Sequence, residues 1–210
     1  MHSIYFDFLC PYAWRGLELA TALGGPQGFV PRHFSLLEGN HRDNTQELHW
    51  RLTDQDPRAQ GEDSFLKAQH ASLNAFLSAQ AARRQGPATE WNYSLVLFRL
   101  HHEQGQPLEE ATFQQAAQLA EELDQAAWQQ ARQEISGLQA ALRADLDTAA
   151  GIGVQGTPTF VLESGEAAYF RFEELTRDPA EAKRRWDLYT AVLRDPARIG
   201  TIKRARNRPA

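Results

Sequence analysis

Residues 3–14 read SIYFDFLCPYAW. The first seven, SIYFDFL, are rich in aromatic and branched side chains, and that composition predicts a buried strand. A turn signal follows at once. Pro11 suits the first turn of a helix, where a missing N–H has no intrahelical partner to lose. Trp14, Leu17, Ala20 and Leu23 then fall at helical spacing, and Gly24-Gly25 stops the run. Residues 29–37 read as a second strand. A strand, helix and strand of this length predict a parallel pair joined by a crossover helix.

Cys10 sits at the junction of the first two elements and is the chain's one cysteine. The first N–H groups of a helix starting at Pro11 would point toward its sulfur, and the helix dipole adds positive potential there. Both favour the thiolate, which is the nucleophilic form. The competing reading is a small buried hydrophobe, a common fate of free cysteine. Asp7, three residues earlier, reads equally as a proton acceptor near the thiol and as a plain strand-end carboxylate.

Outward from this start the pattern changes. Residues 38–61 are polar and read as a connecting loop. From about residue 60 to 150 strand signals vanish, and Ala, Gln, Glu and Leu predict four or five helices. Their apolar faces are marked by Phe65, Leu73, Phe76 and Leu77; by Leu95, Phe98 and Leu100; by Phe113, Ala117, Leu119 and Leu123; and by Ile135, Leu138, Leu142 and Leu146. Strand character returns at residues 159–163. Ser164-Gly165 predicts a hairpin turn into residues 167–172. Residues 178–194 then read as a helix capped by Asp178, with Pro179 first and Trp186, Tyr189 and Leu193 on one face.

The stretch Gly153-Val154-Gln155-Gly156-Thr157-Pro158-Thr159-Phe160 precedes that returning strand. An X-Pro bond in a tight turn feeding a strand is a typical place for a cis peptide, although trans is the ordinary form. A cis bond here would present the Thr157 backbone beside the thiol, open to an extended partner.

Together these two segments resemble the DsbA-like thioredoxin-fold oxidoreductases. Cys10-Pro11-Tyr12-Ala13 is similar to that family's Cys-Pro-x-Cys site, with Ala13 in place of the second cysteine. Residues 153–160 are similar to its Gly-Val-x-Gly-Thr-Pro-x-Phe loop, which holds a cis-proline. The resemblance implies an α/β fold: a thioredoxin-like core with an inserted all-helical subdomain. The core would comprise residues 1–40 and 151–198, the loop and insert 41–150, and a basic tail 199–210. It implies thiol-disulfide exchange with Cys10 as nucleophile. Thr157 and Pro158 would dock the partner's backbone, and Pro11, Tyr12, Ala13 and Trp14 would line the substrate site. Ala13 cannot resolve a mixed disulfide, so release would need an external thiol such as glutathione, acting as co-substrate with no tightly bound cofactor, or a thiol on the substrate itself. A related branch, the 2-hydroxychromene-2-carboxylate isomerases and kappa-class glutathione transferases, carries Ser-Pro-Tyr where this chain has Cys10-Pro11-Tyr12, and activates the glutathione thiol instead. A non-catalytic peptide-binding module on the same fold is the alternative from another class.

Composition narrows the partners. The chain has 210 residues, 22 basic against 27 acidic, for a net charge of -5. Its basic residues Lys203, Arg204, Arg206 and Arg208 lie in the tail, so the body is more acidic still. An acidic body disfavours nucleic acid, and the tail reads as a solvated terminus. No apolar run reaches the ~20 residues of a membrane span. The opening residues lack the pattern of a secretory signal, and one thiol suits a reducing compartment, so a cytoplasmic protein is expected, monomer or homodimer. The expected partner is a thiol or disulfide, peptide or small molecule. His33, His41, His49, His70, His101 and His102 show no metal-ligand spacing. Gly24-Gly25-Pro26-Gln27-Gly28 lacks the Lys-Ser/Thr ending of a phosphate loop. Trp50 and Trp91 read as core or interface residues.

Overall fold

The computed structural model describes residues 1–59 and 61–202. Strand β1 (His2–Phe6) is shorter than residues 3–9 predicted. The buried carboxylate of Asp7 accepts the N–H groups of Leu9 at 2.9 Å and Leu36 at 2.7 Å, which turns the chain and ends the ladder. Helix α1 (Pro11–Ala22) follows, with Cys10 as N-cap and Pro11 in its first turn. Strand β2 (Phe29–His33) pairs with β1 in parallel, as the crossover pattern predicted. It stops before residue 37 because Ser35 caps a one-turn helix, α2 (Leu36–Gly39), its hydroxyl accepting the Glu38 N–H at 3.1 Å. Residues 38–61 are therefore not a featureless loop. They hold 3-10 turns at Arg42–Asn44 and Leu52–Asp54, and the Glu38 carboxylate accepts the Leu52 N–H at 2.8 Å.

The helical block comprises α3 (Ser64–Arg83), α4 (Pro87–Phe98), α5 (Glu110–Leu119), α6 (Gln125–Ala131) and α7 (Ile135–Ile152). A π-helical turn, Arg99–Glu103, extends α4. Most of the predicted apolar positions are buried, but Phe65 is 40% and Leu119 56% exposed. Phe65 packs instead on the stacked rings of His41 and Trp50. Helix α3 is buried around much of its circumference in its second half, where Ser72, Ala75, Ser78, Ala79, Ala81 and Ala82 let other helices approach closely.

After α7 come β3 (Thr159–Val161), β4 (Ala167–Tyr169) and α8 (Pro179–Arg194). Asp178 caps α8 by accepting the N–H groups of Ala180 and Glu181. Both strands end earlier than predicted, but the hairpin turn at Ser164-Gly165 joins them in antiparallel pairing. Among the described residues the sheet runs β2-β1-β3-β4, with β1 parallel to β2 and antiparallel to β3. The architecture is α/β, a mixed sheet packed by helices.

One apolar cluster runs from the sheet into the helical block: Phe8 lies 5.7 Å from Phe76 and 4.9 Å from Phe98, ring centre to ring centre. Beside it sits a buried polar cluster that the sequence pattern did not reveal. Arg83 of α3 forks onto Glu90 of α4 at 2.5 and 2.6 Å and reaches Asp145 of α7 at 2.7 Å. Gln80 stands 3.1 Å from the fully buried His33 of β2. Burial pushes the Glu90 carboxyl up to about 7 against the pull of Arg83, and burial keeps His33 well below the ordinary imidazole range. Among the described residues no helix is long and apolar enough to cross a membrane. The tail cations Lys203, Arg204, Arg206 and Arg208 lie outside the described residues.

Candidate functional site

The turn after β1 aims Cys10 across the sheet. Its backbone N–H donates to the Asp7 carbonyl at 3.0 Å, and its carbonyl accepts the N–H groups of Ala13 and Trp14 at 3.0 and 3.3 Å. The sulfur itself receives no capping hydrogen bond from the first turn of α1, contrary to the expectation from the sequence. Its S–H instead donates to the backbone carbonyl of Thr157 at 3.4 Å. Cys10 is 7% exposed. Asp7 is the strand-end carboxylate of the two readings: both of its oxygens are taken by backbone N–H groups, and burial pushes it up to about 6.

The Thr157-Pro158 bond is cis. A Cβ added to Gly16 of α1 would stand 2.6 Å from the Pro158 ring, so only a glycine lets the helix seat that closely on the proline. The Pro158 carbonyl accepts the Phe170 N–H at 3.0 Å, and the Thr159 hydroxyl donates to the Gly156 carbonyl at 2.7 Å. These bonds fix the loop on both sides of residue 157. The Thr157 carbonyl accepts the Cys10 thiol. Its hydroxyl, by contrast, is buried without a hydrogen-bond partner among the described residues.

Residues predicted from the Cys-Pro-Tyr-Ala segment diverge. Pro11 is exposed and Ala13 is fully buried. Tyr12 turns toward the end of β4. The Arg171 guanidinium lies 3.8 Å from the centre of its ring and donates to its hydroxyl. Tyr169 joins them: its phenol lies close to Arg171, and its ring lies against Gly156. Burial is the main cause that raises the Tyr169 phenol, with Arg171 opposing it. Trp14 turns the other way. Its Nε1 donates to Glu18 at 3.2 Å and its ring stacks on His102 of the π turn, 6.0 Å away. Thus Cys10, Thr157 and Pro158 come together, Tyr12 lies against Arg171, and Trp14 ties α1 to the helical block.

Tyr169 and Arg171 were missed in the sequence. The signal was the two-residue alternation of the second hairpin segment, which puts both on one face. Glu18, 1% exposed and held by Arg99 and Arg177 at 2.7–2.8 Å, was missed as well. His101 and His102 each spend a ring nitrogen on a backbone carbonyl, those of Gln106 and Phe8. Among the described residues no cluster of three His, Cys, Asp or Glu side chains could hold a metal ion.

The family model for the DSBA-like thioredoxin domain matches residues 3–177. Among solved structures, the chain is similar to the cytosolic disulfide reductase DsbM from Pseudomonas aeruginosa with GSH. Identity is 17%, 90% of this chain and 98% of that chain are covered, and the TM-score is 0.55. It is also similar to a 2-hydroxychromene-2-carboxylate isomerase, at 16% identity, covering 90% of this chain and 93% of that one, with a TM-score of 0.57. At such identities the likeness is one of fold. No curated protein sequence matches the chain.

Proposed function

The chain belongs to the DSBA-like thioredoxin domain family, and from that premise we propose that it is an enzyme of thiol-disulfide exchange working through one nucleophile, Cys10, with glutathione as co-substrate. The observation that carries this reading is the contact between the Cys10 sulfur and the Thr157 carbonyl, 3.4 Å across 147 residues of sequence, beside a cis-proline. A lone cysteine kept only for packing has no need of that loop.

The chemistry follows from one sulfur. Deprotonated Cys10 attacks one sulfur of a disulfide. A new bond to Cys10 forms as the old S–S bond breaks, and the leaving thiolate carries off the electron pair and takes a proton from water. Ala13 presents a methyl group where a second thiol would resolve the adduct. A glutathione thiolate therefore attacks the substrate-side sulfur of the mixed disulfide, forms a glutathionyl disulfide and returns Cys10. Disulfide bonds are exchanged with no net oxidation. The buried, unpartnered Thr157 hydroxyl supports a role for that loop in holding the incoming group, and Tyr12 is assigned to its border. One thiol and a reducing co-substrate both suit the cytoplasm.

A second reading is favoured by one detail: the sulfur donates its proton to a carbonyl and takes no first-turn amide, an arrangement suited to a protonated group. On that reading the site activates the glutathione thiol for a transferase or isomerase reaction. Intact mass after incubation with oxidised glutathione separates the two. Exchange chemistry requires a mass gain of one glutathionyl group, reversed by dithiothreitol and abolished in Cys10→Ser. An unmodified wild-type chain that still binds glutathione, and keeps doing so in Cys10→Ser, would move the assignment to the second reading. An unmodified chain that binds only peptides would make it a binding module.

A further inference from the structure

The arginines of this protein are mostly spent on carboxylates: Arg83 on Glu90 and Asp145, Arg99 and Arg177 on Glu18, Arg132 on Glu110. Arg171 differs. It is exposed, and its guanidinium donates to the phenol of Tyr12, with that of Tyr169 close by. The ring of Tyr12 supports it at 3.8 Å, the Tyr12 hydroxyl accepts one of its N–H groups, and the Tyr169 phenol stands close by. Cation–π stacking and hydrogen bonds hold a guanidinium flat without neutralising it. The result is a positive charge with no carboxylate pair among those described above and a planar fork of donors, the geometry that pairs with a carboxylate through two parallel bonds.

Its position gives that charge a use. Tyr12 is two residues from Cys10, and the Tyr169 ring lies against Gly156, next to the Thr157 whose carbonyl accepts the Cys10 S–H. A ligand whose sulfur reaches Cys10 would bring its flanking groups onto this triad. We infer that Arg171, braced by Tyr12 and Tyr169, is the specificity residue of the thiol site, and that it selects small thiols and disulfides bearing a free carboxylate near the sulfur. The inference rests on the exchange site proposed above and names its substrate class.

Two disulfides test it on the intact chain. Dithiobisnitrobenzoate carries carboxylates and dithiodipyridine carries no charge, and both report attack by Cys10 through a coloured thiolate. The neutral reagent measures the nucleophile alone, and the ratio of the two rates measures Arg171. In Arg171→Gln the rate with the carboxylated reagent should fall about tenfold or more while the neutral rate changes less than about threefold, the loss of one charge-assisted pair. Arg171→Lys keeps the charge but not the fork and should recover part of the loss. Equal changes with both reagents, or none, would overturn the inference. A wild-type chain inert to both would count against the exchange reading but leaves this one decidable by binding. S-methylglutathione should bind the Cys10→Ser chain more tightly than its ethyl esters, and Arg171→Gln should erase the difference. Esters that bind as well as the acid would sink the role of Arg171.

Discussion

Asp7 stands where β1 ends, fully buried, each oxygen holding one backbone N–H. An ionised carboxylate suits two donors, but burial charges it a desolvation cost, and its folded value of about 6 lies above the 3.8 of an ordinary aspartate. Below about pH 4 both states are protonated, and above about pH 6 both are ionised. Between these limits the folded chain holds more proton, so stability falls as pH rises, by on the order of 3 kcal/mol in total. Asp7→Asn removes that titration. It also places an amide N–H₂ against one of the two N–H donors, at a cost of about 1–3 kcal/mol. Urea unfolding from pH 4 to pH 7 should show the wild-type advantage shrinking through that window. Parallel stability curves for the two chains would contradict a titrating Asp7. A strand-end carboxylate was one of two readings of this residue, although the strand itself was read on to Leu9. That it also grips Leu36 was not legible, because its partner is the first residue of α2, 29 residues away.

At the scale of elements, the site depends on how closely α1 seats on the loop before β3. Gly16 makes that seat, and Gly16→Ala would drive a methyl into the Pro158 ring at 2.6 Å. Neither the helix nor the paired strand can retreat far, so the substitution should destabilise the chain by about 1–3 kcal/mol, as overpacking does. It should also separate Cys10 from the Thr157 carbonyl and slow its reaction with a neutral disulfide. Unchanged stability together with unchanged thiol reactivity would show that the contact is easily relieved. Sequence patterning located these elements well but placed their ends too late. Strands β1 and β2 were read as ending three and four residues too late because Phe8, Leu9, Phe34 and Leu36 are apolar. Their side chains are used in turns and a short helix that bury as much as a strand would. The cis-proline loop was legible as a motif, while the seat on Gly16 was not, since the interior of a helix gives no local sign of what will cross it.

Across the whole molecule, sheet and helical block share one interior. Phe98 of α4 is fully buried and touches Phe6 and Phe8 of the β1 end, at 5.5 and 4.9 Å between ring centres. The Arg83, Glu90 and Asp145 cluster adds ionic contacts from three helices against β2, and Glu18 with Arg99 and Arg177 clasps α1 to the π turn. None of these networks follows a periodicity, because each draws its members from several distant segments; only their apolar neighbours were readable as faces. A broken buried ion pair leaves an uncompensated charge, so the two parts resist separation beyond what apolar contact alone would give. Core and helical block are therefore expected to unfold together. Phe98→Ala removes a ring shared by both and should cost about 3–5 kcal/mol. If the interior is common, amide exchange protection in β1 and in α3 should drop by the same free energy, and fluorescence and far-ultraviolet dichroism should report one coincident transition. Protection lost in α3 and α4 but retained in β1 and β3 would mean that the helical block opens alone. In that case the thiol site would stand on the sheet without needing the helices that cover it.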